Sequence, residues 1–259
     1  MTNTERIQAN NAELREAIQM AEDLPDAGGG AVVKPIIEPL EVIKNGTYTA
    51  PNGVDGYSPV VVDVPSGGAD ILENLTSLYF FFWRNHNMKL LPAILEMDWA
   101  NVTNVQYTFQ ENTTLTEFNA PESMKVTLPH GMFMNCTSVV RVSGLDRAIP
   151  GTVITDLFKG CTSLVDAGTI NFGGVRFVSR TFTGCVALEE IRIVGQIDVS
   201  VSFADSGLLS DESIQSIIDA LADRTGATAL TLTLHATVGG KLTAEQKAAI
   251  TAKNWTLVY

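Results

Sequence analysis

The residues best able to bind a metal or form a crosslink are three cysteines, Cys136, Cys161 and Cys185. They follow one another at steps of 25 and 24 residues. Cysteine zinc sites need close pairs of ligands and a fourth donor, so this spacing argues against one. The three histidines, His86, His130 and His235, are far apart and fall in different local contexts. His235 ends the alternating run Leu230-Thr-Leu-Thr-Leu234 and is expected at a strand edge or the surface. No Gly-rich phosphate loop follows a strand, and there is no nucleophile elbow. One carboxylate pair, Asp166 and Glu190, could lie on adjacent strands near the separation of about 5 Å used in retaining glycoside hydrolysis. No aromatic sugar cleft accompanies that pair in the sequence. No catalytic residue, cofactor or metal is therefore predicted.

Position within a repeat explains the cysteines better than chemistry does. Each stands three residues after a phenylalanine: Phe133-Met-Asn-Cys-Thr-Ser-Val139, Phe158-Lys-Gly-Cys-Thr-Ser-Leu164 and Phe182-Thr-Gly-Cys-Val-Ala-Leu188. A fourth copy, Phe109-Gln-Glu-Asn-Thr-Thr-Leu115, precedes them, and the phenylalanines are spaced by 24, 25 and 24 residues. Another apolar or small residue follows each aliphatic by three: Phe118, Val142, Ala167 and Ile191. Degenerate copies are expected at Phe203 to Leu209 and Phe82 to Met88, and Asp98-Trp99 could belong to a further one. A fixed period in the twenties marks a solenoid, whose units bury their apolar sides against one another. The cysteines then occupy one repeated slot, filled by Asn112 and Ser206 in the outer copies. Cysteine serves there as a small apolar core residue.

The same alignment defines a polar face. Two residues after each aliphatic stand Glu117, Arg141, Asp166 and Glu190; four residues after it stand Asn119, Ser143, Gly168 and Arg192. On strands these alternate with the buried row and point outward, with successive rungs roughly 4.8 Å apart. Glu117, Arg141 and Asp166 are then expected to form a ladder of alternating charge. Asp166 and Glu190 would be like-charged neighbours moderated by Arg192. Three readings follow: a solvated face with internal charge pairing, a polar binding face for saccharide or protein, or a glycosidase pair. The candidate binding residues are Glu117, Asn119, Arg141, Ser143, Asp166, Glu190 and Arg192.

The elements around the repeats follow from local signals. The spacing predicts a helix over 3–23, stopped by Pro25. Its seam is Ile7, Asn11, Leu14, Ile18 and Ala21, at steps of 4, 3, 4 and 3 residues. That suits either a helix lying on its own domain or a short parallel coiled coil joining identical chains, with Asn11 setting register. Residues 26–35 form a Gly-rich linker. Residues 36–65 read as a small β unit whose Asn45-Gly46 favours a hairpin turn. A second joint, 66–69, leads to the repeats at 70–209. Tyr79-Phe-Phe-Phe-Trp83 reads as a cap on the first rung or as a subunit interface. A C-terminal α/β cap occupies 210–259. In it Ser210 caps a helix through Ile214, Ile217, Ile218 and Leu221 that ends near Gly226. A strand at 230–234, a capping box at Thr243 to Gln246 and a final strand at 255–259 complete it. The predicted fold class is mixed α/β, mainly β.

The chain has 259 residues and a net charge of −12, from 17 Lys+Arg against 29 Asp+Glu. Such a surface repels phosphate backbones, so no nucleic-acid partner is expected. The apolar run Leu78 to Trp83 is too short to span a bilayer, and the polar N-terminus predicts no secretory signal.

The stretch Asn45-Gly-Thr-Tyr-Thr-Ala-Pro-Asn-Gly-Val-Asp-Gly-Tyr-Ser-Pro-Val-Val-Val-Asp-Val-Pro65 resembles a module of tail proteins from phages and prophages of Gram-positive bacteria. The Phe-x-x-Cys-Thr-Ser-Leu cores resemble irregular, BspA-like leucine-rich repeats. The segment from Leu209 to Leu257 is similar to the C-terminal end of such phage proteins. The resemblance implies a non-enzymatic tail fibre or receptor-binding protein of the virion. It would form a homotrimer or other homo-oligomer through its N-terminus and bind a host-surface polysaccharide or protein through the repeats. A baseplate or tail scaffold contacting other tail proteins is the alternative, and a tail-borne polysaccharide-degrading enzyme a third.

Overall fold

The computed structural model describes residues 78, 99–102, 104–124, 129–147 and 153–259. The helix seam at Ile7 to Ala21, the β unit, both linkers, His86 and the 79–83 aromatic run lie outside the described residues.

The described chain is mixed α/β, with two parallel sheets and three α-helices. Strands β1 (Glu117–Asn119), β2 (Arg141–Ser143), β3 (Asp166–Asn171) and β4 (Glu190–Val194) form one sheet in chain order. Glu117 pairs with Arg141, Arg141 with Asp166 and Asp166 with Glu190, so one strand recurs in register with each sequence period. Phe118, Val142, Ala167 and Ile191 are buried beneath it.

The phenylalanines form a second registered row. Phe109, Phe133, Phe158, Phe182 and Phe203 are all buried. Their rings stack in sequence at centroid distances of 5.5, 5.7, 6.1 and 4.5 Å. Trp99, fully buried, packs on Phe118 at 6.4 Å near the first of these turns. Its amide donates to Ser123 Oγ, 24 residues on. Backbone bonds repeat with the rings: the amides of Phe109, Phe133 and Phe158 donate to the carbonyls of Met132, Leu157 and Thr181.

The cysteine row turns out to be polar as well as packed. Each thiol donates to the carbonyl of the phenylalanine one turn earlier: Cys136 to Phe109, Cys161 to Phe133 and Cys185 to Phe158, at 2.8, 2.9 and 3.1 Å. Ser206 continues the row with Oγ 3.2 Å from the Cys185 carbonyl. Asn112 fills the first slot differently, accepting from the amides of Thr114 and Leu115. Each phenylalanine carbonyl already accepts from the amide three residues on, so the thiol satisfies its second lone pair.

Helix α1 (Asp211–Ala220) closes the open edge of β4. Ser210 caps it as expected, accepting from the Ser213 amide. An exposed parallel edge would leave unpaired amides. Here Ser213 Oγ accepts from the Ile191 amide and Ser216 Oγ from the Ile193 amide, both at 2.9 Å. The helix ends at Ala220, not near Gly226. Leu221 instead makes a parallel bridge to Ile197, and the Ala222 amide donates to the Ile197 carbonyl. Lys253 Nζ completes the end, donating to the carbonyls of Ile218 and Asp219.

Strands β5 (Val201–Phe203), β6 (Leu230–Leu234) and β7 (Trp255–Val258) form the second parallel sheet. Because Phe203 both stacks on Phe182 and pairs with Leu234, this sheet continues the row of turns. Helix α2 (Ala236–Lys241) follows β6, where the local sequence signals predict no helix. His235, expected as an edge residue, is its N-cap and accepts from the Thr237 amide. Helix α3 (Ala244–Ala252) begins with the expected capping box at Thr243 and Gln246.

Candidate functional site

The outward face of β1–β4 gathers the predicted binding residues. Alternation around the buried Phe118, Val142, Ala167 and Ile191 turns their neighbours outward. Glu117, Asn119, Arg141, Glu190 and Arg192 are exposed, whereas Ser143 and Asp166 are half-buried. Ser143 Oγ donates to Asn119 Oδ1 at 2.9 Å, joining the first two rungs.

The charge ladder closes at one place only. Arg141 Nε lies 3.3 Å from Asp166 Oδ2. Among the described residues no ion pair joins Glu117 to Arg141, although the two are in register. Asp166 also accepts from the Gly168 amide at 2.8 Å, a local turn that bends β3. The pairing register shifts there, so Arg192 stands beside Thr169 and not beside Gly168 as the spacing predicted. Gly168 sits at φ +65°, and an added Cβ would lie 2.6 Å from the Val142 carbonyl oxygen. Glycine is thus needed both for the bend and for close approach to β2.

Asp166 and Glu190 are in register but engaged in different contacts. Glu190 accepts from Ser210 Oγ at 3.2 Å and Ser213 Oγ at 3.4 Å, at the start of α1. A carboxylate there is favoured by the helix dipole. Each carboxylate thus has a structural partner: Arg141 for Asp166, the α1 serines for Glu190.

Protein-family models, curated proteins and solved structures were searched and gave no match to this chain.

A shallow, open depression of about 620 Å³ extends the face at its far end, between β4 and α1. Arg192, Ile193 and Gly195 line one side, and Glu212, Gln215, Ser216 and Asp219 line the other. Gln215 Nε2 donates to Asp219 Oδ1 at 2.8 Å. Among the described residues Arg192 has no ion-pair partner, so its charge is available to a ligand. Of this depression the sequence reading identified only Arg192. The serines and carboxylates of α1 were legible as a helix start, but not as the wall of a site.

Among the described residues no group of three or more His, Cys, Asp or Glu side chains could hold a metal ion. No described helix is long and apolar enough to cross a membrane.

Proposed function

We propose that this chain is a non-enzymatic binding protein of a phage or prophage tail. On this reading the stacked turns are an irregular leucine-rich-repeat solenoid, the N-terminal helix joins copies into an oligomer, and the β1–β4 face with its depression contacts the host cell surface. The observation that carries it is the registered polar face resting on a fully buried ring stack. Such a scaffold presents Glu117, Asn119 and Arg192 to solvent on backbone that is already ordered, so binding need order only their side chains. The separate structural contacts of Asp166 and Glu190 favour recognition over hydrolysis. Several copies in one oligomer would turn weak contacts into avidity.

The test is binding of the labelled full chain to a panel of intact Gram-positive cells. A Glu117→Lys, Arg192→Glu double variant changes only exposed side chains, so its stability should stay within about 0.5 kcal/mol of wild type. Cell binding should fall at least tenfold. Equal binding by the variant would remove this face from recognition. If no cells bind while the protein is retained on tail particles, it acts as a scaffold instead.

A further inference from the structure

A second polar strip runs along the turns two residues before each buried phenylalanine. Tyr107, Gly131, Asp156 and Arg180 hold this position, with φ of 56, 57, 58 and 58°. Left-handed backbone favours glycine and is unfavourable for large side chains. The matching column two residues after each phenylalanine largely obeys that preference, with Asn135, Gly160 and Gly184 beside Glu111. The first column does not: it keeps a tyrosine, an aspartate and an arginine in the strained conformation. Strain of this kind is retained where the side chain has a task.

The side chains of the strip are arranged together. The Tyr107 ring lies over Gly131, where an added Cβ would stand 2.5 Å from it. Its hydroxyl meets His130 Nε2 at 2.5 Å, and the two rings pack edge-on at 4.9 Å. His130 Nδ1 is a buried polar atom with no hydrogen-bond partner among the described residues. Next in the column, Arg180 Nε and Nη2 donate to the two carboxylate oxygens of Asp156 at 2.8 and 2.7 Å. Asp156 is buried, while Arg180 is exposed. Three residues before Arg180 stands Phe177, exposed at 59%. Its backbone is held to the previous turn, with its carbonyl accepting from the Ile154 amide at 2.9 Å. Arg176 beside it is exposed and has no ion-pair partner among the described residues.

We propose that Arg180, held in place by the buried Asp156, forms with Phe177 and Arg176 a binding strip for an anionic saccharide chain. A pyranose ring has an apolar C–H face that stacks on an exposed aromatic ring, and hydroxyls that need a donor and an acceptor side by side. Phe177 supplies the first; for the second, the guanidinium N–H groups of Arg180 that the buried Asp156 does not take can donate, and the exposed hydroxyl of Ser179, its neighbour in the chain, can accept. The Phe177 and Arg180 backbones lie at most about 10 Å apart, a span of two sugar rings. The unpaired Arg176 takes the carboxylate or phosphate of the sugar. Within residues 176–180 Phe177 is the one exposed apolar side chain, and a single ring suits stacking on a sugar better than forming the extended apolar core of a protein interface. This strip is separate from the β1–β4 face and stands whether or not the chain belongs to a tail.

Native gels cast with polygalacturonate, with phosphomannan or with neutral dextran test the proposal on the full chain. Retardation in a carboxylate or phosphate gel is expected, and it identifies the anionic group. Because the protein carries a net charge of −12, its overall field opposes a polyanion, so retardation must arise at a local site, and Phe177→Ala separates stacking from mere charge attraction there. Phe177→Ala and Arg176→Ala should each weaken retardation at least fivefold with unchanged melting temperature. Unretarded wild type in both polyanion gels, wild-type mobility of Phe177→Ala, or equal retardation by dextran overturns the assignment. Loss of cell binding through Glu117 and Arg192 with saccharide binding intact would separate the two faces.

Discussion

Replacing Phe158 with alanine is expected to cost about 3–5 kcal/mol of folding stability, the range for a fully buried phenylalanine. Its ring is completely inaccessible and sits between Phe133 and Phe182 at 5.7 and 6.1 Å. Both neighbours are held by further rings, so collapse around the cavity is limited and the upper part of the range applies. The carbonyl of Phe158 would still accept from Cys161 and Cys185, which confines the loss to packing. Domains of this size have a total stability of about 5–15 kcal/mol, so the variant loses a large fraction of it. Phe177→Ala, at an exposed ring, should stay within about 0.5 kcal/mol of wild type. Urea unfolding of both variants measures the contrast. A loss below about 1 kcal/mol for Phe158→Ala would contradict the continuous ring stack.

Alkaline solution should unfold the protein through its three thiols. Burial pushes Cys136 and Cys185 up from 9.0 to about 12, and Cys161 well above its ordinary value. The folded state therefore favours the neutral thiol. Its stability is complete below pH 9 and is lost as pH rises toward the folded value, because the unfolded chain releases protons first. The slope approaches about 1.4 kcal/mol per pH unit for each thiol. Serine stands naturally in this slot at Ser206, where its hydroxyl also donates to a carbonyl of the turn before, that of Cys185. The Cys136→Ser, Cys161→Ser, Cys185→Ser variant should thus lose most of this slope between pH 9 and 11. Tyrosine and lysine titration is common to both proteins and cancels in the comparison. Identical slopes in wild type and variant would show that the thiols ionise freely in the fold.

The repeat period was enough to read the core and the register of the outward face. Phenylalanine, cysteine and aliphatic positions carry one physical demand each, burial, so their spacing transmits directly into structure. The Ser210 cap and the Thr243 capping box were legible for a similar reason, since each depends on residues within one turn. The register shift in β3 was harder to read. It arises from the Asp166 carboxylate bonding to the Gly168 amide, and Asp-x-Gly was indeed present as a turn signal. The end of α1 depends on Leu221 pairing with Ile197, a contact 24 residues distant that helix propensity does not report. Helix α2 contains Gly239 and Gly240, which argue locally against a helix. The Tyr259 side chain packs directly on Gly239, leaving no room for a Cβ. The strip at Tyr107, Asp156 and Arg180 was missed because its members share a backbone conformation and no common chemistry.

Native-state thiol labelling tests most directly the claim that the copies form one continuous buried stack. Cys136, Cys161 and Cys185 are each fully inaccessible and bonded to the turn before. All three should resist a thiol reagent at neutral pH and become reactive together, in a single transition, as urea unfolds the chain. Labelling of any one of them in the folded protein at its unfolded rate would contradict the stack.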